Sequence, residues 1–141
     1  MTTPGGDSLG DIVASMPFAA TLGIELVGAR PDEVVARMSW SEDKTTIGGR
    51  LHGGAIMAFA DTIGAVCAFL NLPDGATTST IESKTNFFRG FGSGTLTATS
   101  TPLHVGSSTI VVRTDLVDDR AKPVAVVTQT QIVIRPSATP A

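Results

Sequence analysis

A chain of 141 residues with 42% apolar content is long enough to close one hydrophobic core and too short for two, and it is too apolar for a disordered, charge-driven tail protein. Charged residues make up 16% of it against roughly 25% in an average soluble domain, so part of the surface is expected to be covered in an oligomer. Ten Lys and Arg against 13 Asp and Glu give a net charge of −3 with no basic run, which leaves out the electrostatic footprint of a nucleic-acid partner.

Thr2 to Gly6 and Pro136 to Ala141 are small, polar and Pro-containing, and read as frayed ends around a domain over residues 20–134. Met1 to Gly10 lacks the basic start and apolar core of an export signal. Asp7 or Ser8 can cap a short helix through Met16, ended by Pro17. Residues 21–29 and 33–40, rich in Leu, Ile and Val around Ala29-Arg30-Pro31-Asp32, read as a hairpin.

The Gly-rich stretch Gly48 to Gly54 leads into one long helix from Ala55 to Asn71, stopped before Pro73-Asp74-Gly75. That helix is apolar nearly all round, the pattern of a segment wrapped by protein or embedded in a membrane. Asp61 near its middle would cost a few kcal/mol in lipid, and everything downstream looks like sheet, so no membrane partner is expected. Residues 77–88, 94–104, 108–117 and 123–134 follow as strand-like runs rich in Thr, Val and Ile. Breaks at Gly90-Phe91-Gly92-Ser93, Gly106-Ser107 and Asp118-Asp119-Arg120 predict four consecutive hairpin-linked strands. In the third run Ile110, Val112, Thr114 and Leu116 share one face, the period of a sheet covered on one side. With the first hairpin, the expected architecture is α+β: an antiparallel sheet of about six strands curled around one long central helix.

Three features could carry chemistry. Asp61 places a carboxylate inside an apolar helix, costly unless it is paired with a Thr hydroxyl or an Arg across a subunit contact, or put to use activating water or attacking a carbonyl. At His52-Gly53-Gly54 a loop becomes that helix, so the N–H groups of Gly53 and Gly54 are among the unpaired donors of its first turn, and glycine lets an acyl group come close. The third feature is the spacing. Gly53 and Asp61 are eight residues apart, about 12 Å along a helix axis, whereas a reacting carbonyl must lie about 3 Å from both its oxyanion donor and its base. One chain can hardly supply both, so a site that uses both lies between two subunits.

Other chemistries find little support. No G-x-S-x-G elbow surrounds Ser107 or Ser108, and His52 and His104 are the only histidines a triad could use. Cys67 reads as a packing residue; one Cys with two His cannot complete a structural zinc site, and a lone cysteine fits a reducing cytoplasm. No metal or cofactor is expected. Gly90, Gly92 and Gly94 lack the following helix of a dinucleotide loop, and Asp118-Asp119 reads as a turn.

From Gly49 through Thr62 the chain resembles the hotdog-fold acyl-CoA thioesterases of the phenylacetate-degradation type, whose signature is a His-Gly-Gly loop, a long apolar helix and an acid about two turns inside it. The resemblance continues through Lys84 to Arg89 and His104-Val105-Gly106. It implies a sheet wrapped around the helix, dimers joined edge to edge and often paired into tetramers, and hydrolysis of an aryl or fatty acyl-CoA to a free acid and CoA. Asp61 would be nucleophile or general base, Gly53 would donate its N–H to the thioester oxygen, and His52 would shape the loop or touch substrate. Gly54 and Thr62 flank these in the motif and join the expected substrate contacts. Arg89 and the Gly106-Ser107-Ser108 turn match places where relatives contact the CoA phosphates or pantetheine arm. The chain departs from many relatives at Thr46, where they carry Asn or Gln, and at Ser107, where they carry a basic residue. These departures leave open a carrier-protein thioester as substrate, or a non-catalytic acyl-CoA or acyl-chain sensor. Hydration or dehydration of an acyl thioester is weaker, since the His-containing signatures of those enzymes are absent.

Overall fold

Pro17 starts a helix rather than only ending one. The computed structural model describes residues 6–137, and in it α1 (Gly6–Ala14) is followed at once by α2 (Pro17–Leu22). Proline stands at the start of α2, where its missing N–H would have had no intrahelical acceptor anyway. Gly23 closes α2 at φ 72°: its N–H donates to the Ala20 carbonyl and that of Ile24 to the Ala19 carbonyl, a left-handed cap that glycine adopts without penalty. The strand expected from residue 21 therefore begins later, as β1 (Glu25–Arg30), paired in a hairpin with β2 (Glu33–Ser39). Of the frayed ends expected at Thr2 to Gly6 and Pro136 to Ala141, residues 2–5 and 138–141 lie outside the described residues, as does the capping side chain of Asp7 or Ser8, while Gly6 already belongs to α1.

A 3-10 turn at Glu42–Lys44 then braces the start of the domain, because Lys44 Nζ donates to the carbonyls of Leu22 and Ser39, both at 2.7 Å. The long helix, α3, spans Gly53–Phe69, beginning two residues before the expected Ala55 because His52 is its N-cap. No helix among the described residues is long and apolar enough to cross a membrane.

Four strands complete the sheet: β3 (Thr77–Phe87), β4 (Thr95–Val105), β5 (Thr109–Val117) and β6 (Pro123–Ile134). Each lies within a residue or so of its expected bounds, but they are not four consecutive hairpins. The spatial order is β1-β2-β4-β5-β6-β3, so β4, β5 and β6 form the meander while β3 pairs with β6. The seven residues between Phe87 and Thr95 read as a turn, yet Phe91 among them is buried and its carbonyl accepts from Leu51 N–H. That anchor makes the segment a crossover at one end of the sheet, past the ends of β5 and β6. All neighbouring strands are antiparallel, and the sheet packs one face against α3: this is the hotdog fold.

The core lies between α3 and the inner face of the sheet. Phe59 and Ile63 on the helix meet Val34, Ala36 and Met38 of β2, Leu96 of β4, Ile110, Val112 and Leu116 of β5 and Val127 of β6 in one buried cluster. Ile110, Val112, Thr114 and Leu116 are all buried, as their alternation predicts. β3 is different. A bulge between Thr80 and Glu82 interrupts its pairing with β6, leaving Ile81 as the extra residue. Before the bulge Thr78 and Thr80 sit opposite inward-facing positions of β6; after it Ser83, Thr85 and Phe87 do. The helix is also not wrapped all round within one chain, because β3 is an edge strand and Gly54, Met57, Asp61 and Phe69 are exposed along α3.

Cys67 is fully buried on α3, and its thiol is pushed up to about 11, first by burial and second by the Asp32 carboxylate. Reaction needs the thiolate, so the thiol should be silent toward a disulfide reagent between pH 7 and 9 in the folded protein. One equivalent should react promptly once denaturant is added; fast reaction in the native state would contradict this placement.

Candidate active site

Loop geometry places the first turn of α3. Gly48 and Gly49 have φ of 86° and 74°, a left-handed region where a side chain would be strained, and they turn the chain with Ile47 at an exposed tip. The turn is held from outside: Trp40 Nε1 donates to the Gly49 carbonyl at 2.9 Å, and Leu51 and His52 N–H donate to Phe91 and Lys44 carbonyls, both at 2.8 Å.

His52 then caps the helix with its side chain, Nδ1 accepting from Gly54 N–H at 2.8 Å. A backbone donor aimed at Nδ1 requires that atom to be unprotonated, so the imidazole proton sits on Nε2. Gly54 is thus not one of the free donors expected at this helix start; its N–H is taken by His52. Gly53 is. Its N–H meets no acceptor among the described residues, and it lies at the positive end of a 17-residue helix. The Phe87 ring covers it so closely that a Cβ built on Gly53 would stand 3.3 Å from Phe87 Cζ.

Two turns along α3, Asp61 is exposed rather than buried, because its helix face looks past the edge strand into space the described residues do not fill. It does meet the Thr hydroxyl considered from sequence, but within one chain. Thr80 Oγ1 donates to Asp61 Oδ1 at 2.7 Å, and Gln129 Nε2 donates to the same oxygen at 3.2 Å. No donor among the described residues reaches Oδ2. Behind Thr80, Gln131 Nε2 donates to Thr80 Oγ1 at 2.6 Å, while the one Thr78 hydroxyl proton lies between the Ile132 carbonyl at 2.8 Å and Gln131 Oε1 at 3.1 Å. Gln129 and Gln131 are completely buried. Neither stood out in the sequence, although two amides at inward positions of a Val-rich strand were the available signal.

The other expected contacts scatter. Thr62 Oγ1 is spent on the Ala58 carbonyl at 2.7 Å, four residues back on its own helix. Thr46 is exposed in the Gly-rich loop, its backbone bonded to Arg50 and Gly49. Arg89 is exposed just past β3, at the Phe87 end. The Gly106-Ser107-Ser108 turn joins β4 to β5, with Arg135 Nη2 donating to the Ser107 carbonyl at 3.1 Å. Thr109 and Ser79 both pair with Ile132, so this turn lies at the Thr77 end of β3, about 25 Å from Phe87 along the strand. Within one chain, Gly53 with Phe87 and Arg89 occupy one end of β3, and the turn occupies the other.

Phe59 and Ile63 are core, whereas Phe87 and Phe88 are half-exposed. A cavity of about 470 Å³ lies elsewhere, bordered by Arg37, Thr97 and Asp119. Asp118 at its rim is a turn carboxylate: N–H donation from Lys122, with a further one from Arg120, holds it below the usual range. No group of three His, Cys, Asp or Glu among the described residues could hold a metal ion.

Residues 48–125, from the Gly-rich loop into β6, match the family model described as the thioesterase superfamily. The chain belongs to that superfamily. Thioester hydrolysis is the activity this membership carries. The chain is similar to thioesterase HI1161 of Haemophilus influenzae, at 30% identity and a TM-score of 0.88 over 95% of this chain and 93% of that one. It is also similar to a mutant of thioesterase PA1618 of Pseudomonas aeruginosa, at 27% identity and TM-score 0.87 over 94% and 96% of the two chains. AziG of S. sahachiroi matches at 29% identity and TM-score 0.82 over 85% and 98%.

The His52 cap has a measurable consequence. His52→Ala frees the Gly54 N–H and should lower unfolding free energy by about 1 kcal/mol, read as a fall in the urea midpoint at unchanged slope. An unchanged midpoint would mean that the imidazole does not cap α3.

Proposed function

We propose that this chain is an acyl-CoA thioesterase of the phenylacetate-degradation type, working as a homodimer, or a pair of dimers, in which Gly53 of one subunit and Asp61 of the other form each site. The observation that carries this is the division of labour along α3: a free N–H at Gly53 and a free carboxylate oxygen at Asp61, eight residues apart on one helix.

The geometry of β3 supports the partnership. The strand is 11 residues long, pairs among the described residues with β6 alone, and carries half-exposed Ile81 and Phe87, with half-exposed Phe88 just past its end. A long unpaired edge offers its free N–H and C=O groups to a second strand. Asp61 is tied to Thr80, and Gly53 packs on Phe87. Antiparallel pairing of two β3 strands about an axis near Ser83 and Lys84 sets Thr80 of each opposite Phe87 of the other, and with them Asp61 opposite Gly53. The same operation carries the Gly106–Ser108 turn of one subunit toward Arg89 of the other, the two places the resemblance assigns to CoA.

In such a site the Gly53 N–H, backed by the helix dipole, receives the negative charge that grows on the thioester oxygen. Asp61 acts on the carbonyl carbon through water, as base, or directly, as nucleophile. Either way the carbon–sulfur bond breaks, water supplies the new carboxylate oxygen, and its proton leaves with the CoA thiol. Phe87 and Phe88 offer apolar surface to the acyl group.

The test is free-thiol release from acetyl-CoA, decanoyl-CoA and phenylacetyl-CoA by the wild type and by Asp61→Asn. Turnover of at least one substrate, lowered about 100-fold or more in the folded variant, is the expected result. Binding of these compounds with no thiol release by either protein would instead favour the sensor. Mixing Asp61→Asn subunits with Gly53→Val subunits should restore turnover that neither parent shows, since hybrid dimers carry one intact site. Failure of two folded, exchanging parents to complement would place both groups in one subunit.

A further inference from the structure

Asp61 is exposed, yet its carboxylate is not free to rotate. We propose that Thr80, Gln129 and Gln131 are positioning residues that saturate Asp61 Oδ1, so that Oδ2 alone is presented to the thioester; this rests on Asp61 being the catalytic carboxylate.

The argument is one of proton direction. An amide has its donor and acceptor on different atoms, so it gives a hydrogen-bond chain a sense that hydroxyl groups alone lack. As a carboxylate Asp61 can only accept, so the Thr80 proton goes to Oδ1 and Gln131 turns Nε2 toward Thr80 Oγ1; the one Thr78 hydroxyl proton is closer to the Ile132 carbonyl than to Gln131 Oε1 and does not set this sense. With its oxygen already accepting, Thr80 has one proton to give, and the group in its path is Asp61 Oδ1. Gln129 supplies a second donor to that oxygen and also reaches the Asp61 carbonyl, at 3.4 Å. Two donors converging on one oxygen of a carboxylate fix its plane and leave the other oxygen as the reactive one.

Other features show that the arrangement is built rather than incidental. Gln129 is wholly buried with its Oε1 lacking any partner, a cost that an aliphatic residue on this strand would avoid. Turning the amide over would not relieve it, because the oxygen would then face Asp61 Oδ1. Its donor end is what the site uses. Gly64 makes the room: a Cβ built there would collide with Gln129 Oε1 and Cδ, so the amide lies flat on α3 only because residue 64 has no side chain. The bulge at Ile81 comes directly after Thr80 and changes which residues of β3 face inward, allowing one strand to hold Thr80 at Asp61 and Phe87 at Gly53.

The experiment compares kcat and KM for the best-used acyl-CoA of the three above in wild type, Asp61→Asn, Thr80→Val, Thr80→Ser, Gly64→Ala and Ser100→Ala, with thermal unfolding measured for each. Ser100 lies in a separate buried hydroxyl pair with Thr114 and serves as the control. Thr80→Val should lower kcat roughly 10- to 100-fold with KM unchanged, and Thr80→Ser, which keeps the hydroxyl, should recover most of it. Gly64→Ala should also lower kcat, although alanine favours a helix over glycine; it decides the matter if Thr80→Val does not fold. Ser100→Ala should leave kcat alone. Wild-type kcat in folded Thr80→Val and Gly64→Ala, with Asp61→Asn inactive, would overturn the positioning role while sparing Asp61. Full turnover by Asp61→Asn would overturn the role of Asp61 itself, and the positioning role with it.

Discussion

A straight helix cannot bring its first turn and its third turn to the same point. In this protein the groups with reactive potential sit at those two places, and the 1.5 Å rise per residue keeps the Gly53 N–H and the Asp61 carboxylate too far apart to share one carbonyl. Much else follows from that separation: an edge strand that leaves the Asp61 flank of α3 uncovered, an aromatic ring over one group and a hydroxyl on the other, and a sheet order that puts β3 rather than β4 beside β6.

The two ends of the separation are prepared by different physics. At Gly53 the polar group is part of the backbone, and the fold acts by subtraction: glycine removes the side chain, His52 consumes the neighbouring Gly54 donor, and a single N–H is left at the positive end of the helix. At Asp61 the polar group is a flexible carboxylate and the fold acts by addition, supplying donors from two strands to hold one oxygen. Both solutions depend on β3 and on the Gly-rich loop, whose position is fixed by Trp40, Lys44 and Phe91. The core beneath, with Phe59 at its centre, makes the platform rigid but touches neither group.

Most of the secondary structure was legible because period-2 and apolar-run signals in residues 77–134 are strong and are set by local chemistry. Where reading failed, the missing information was nonlocal. Pro17 is compatible with a helix end and a helix start, and only the Gly23 cap shows that α2 follows. The Gly90 to Gly94 segment has turn composition, but burial of Phe91 makes it a crossover. Asp61 was legible as the residue needing explanation, and its Thr partner as a type, whereas its exposure depends on which strand ends the sheet. The free donor expected at Gly54 is missing because a side chain two residues earlier takes its N–H. Gln129 and Gln131 passed unnoticed because amides in a strand are ordinary until their parity is known, and parity on that sheet is visible only once β6 is seen to face α3.

The bulge at Ile81 also bears on which changes of length this strand can absorb. Deleting that one residue would restore an unbroken ladder with β6 in the existing register, with Thr80 still opposite Gln131 and Ser83, Thr85 and Phe87 still opposite Gln129, Val127 and Ala125. Pairing straight through Ile81 without the bulge would do the opposite. Thr80 would stay on Asp61, but Ser83, Thr85 and Phe87 would rotate outward and Glu82, Lys84 and Asn86 would turn toward the helix. Gly53 would then lose its aromatic cover although no side chain had changed. β3 therefore behaves as a strand with two reading frames spliced at a single position, able to lose the residue at the splice but not to pair through it.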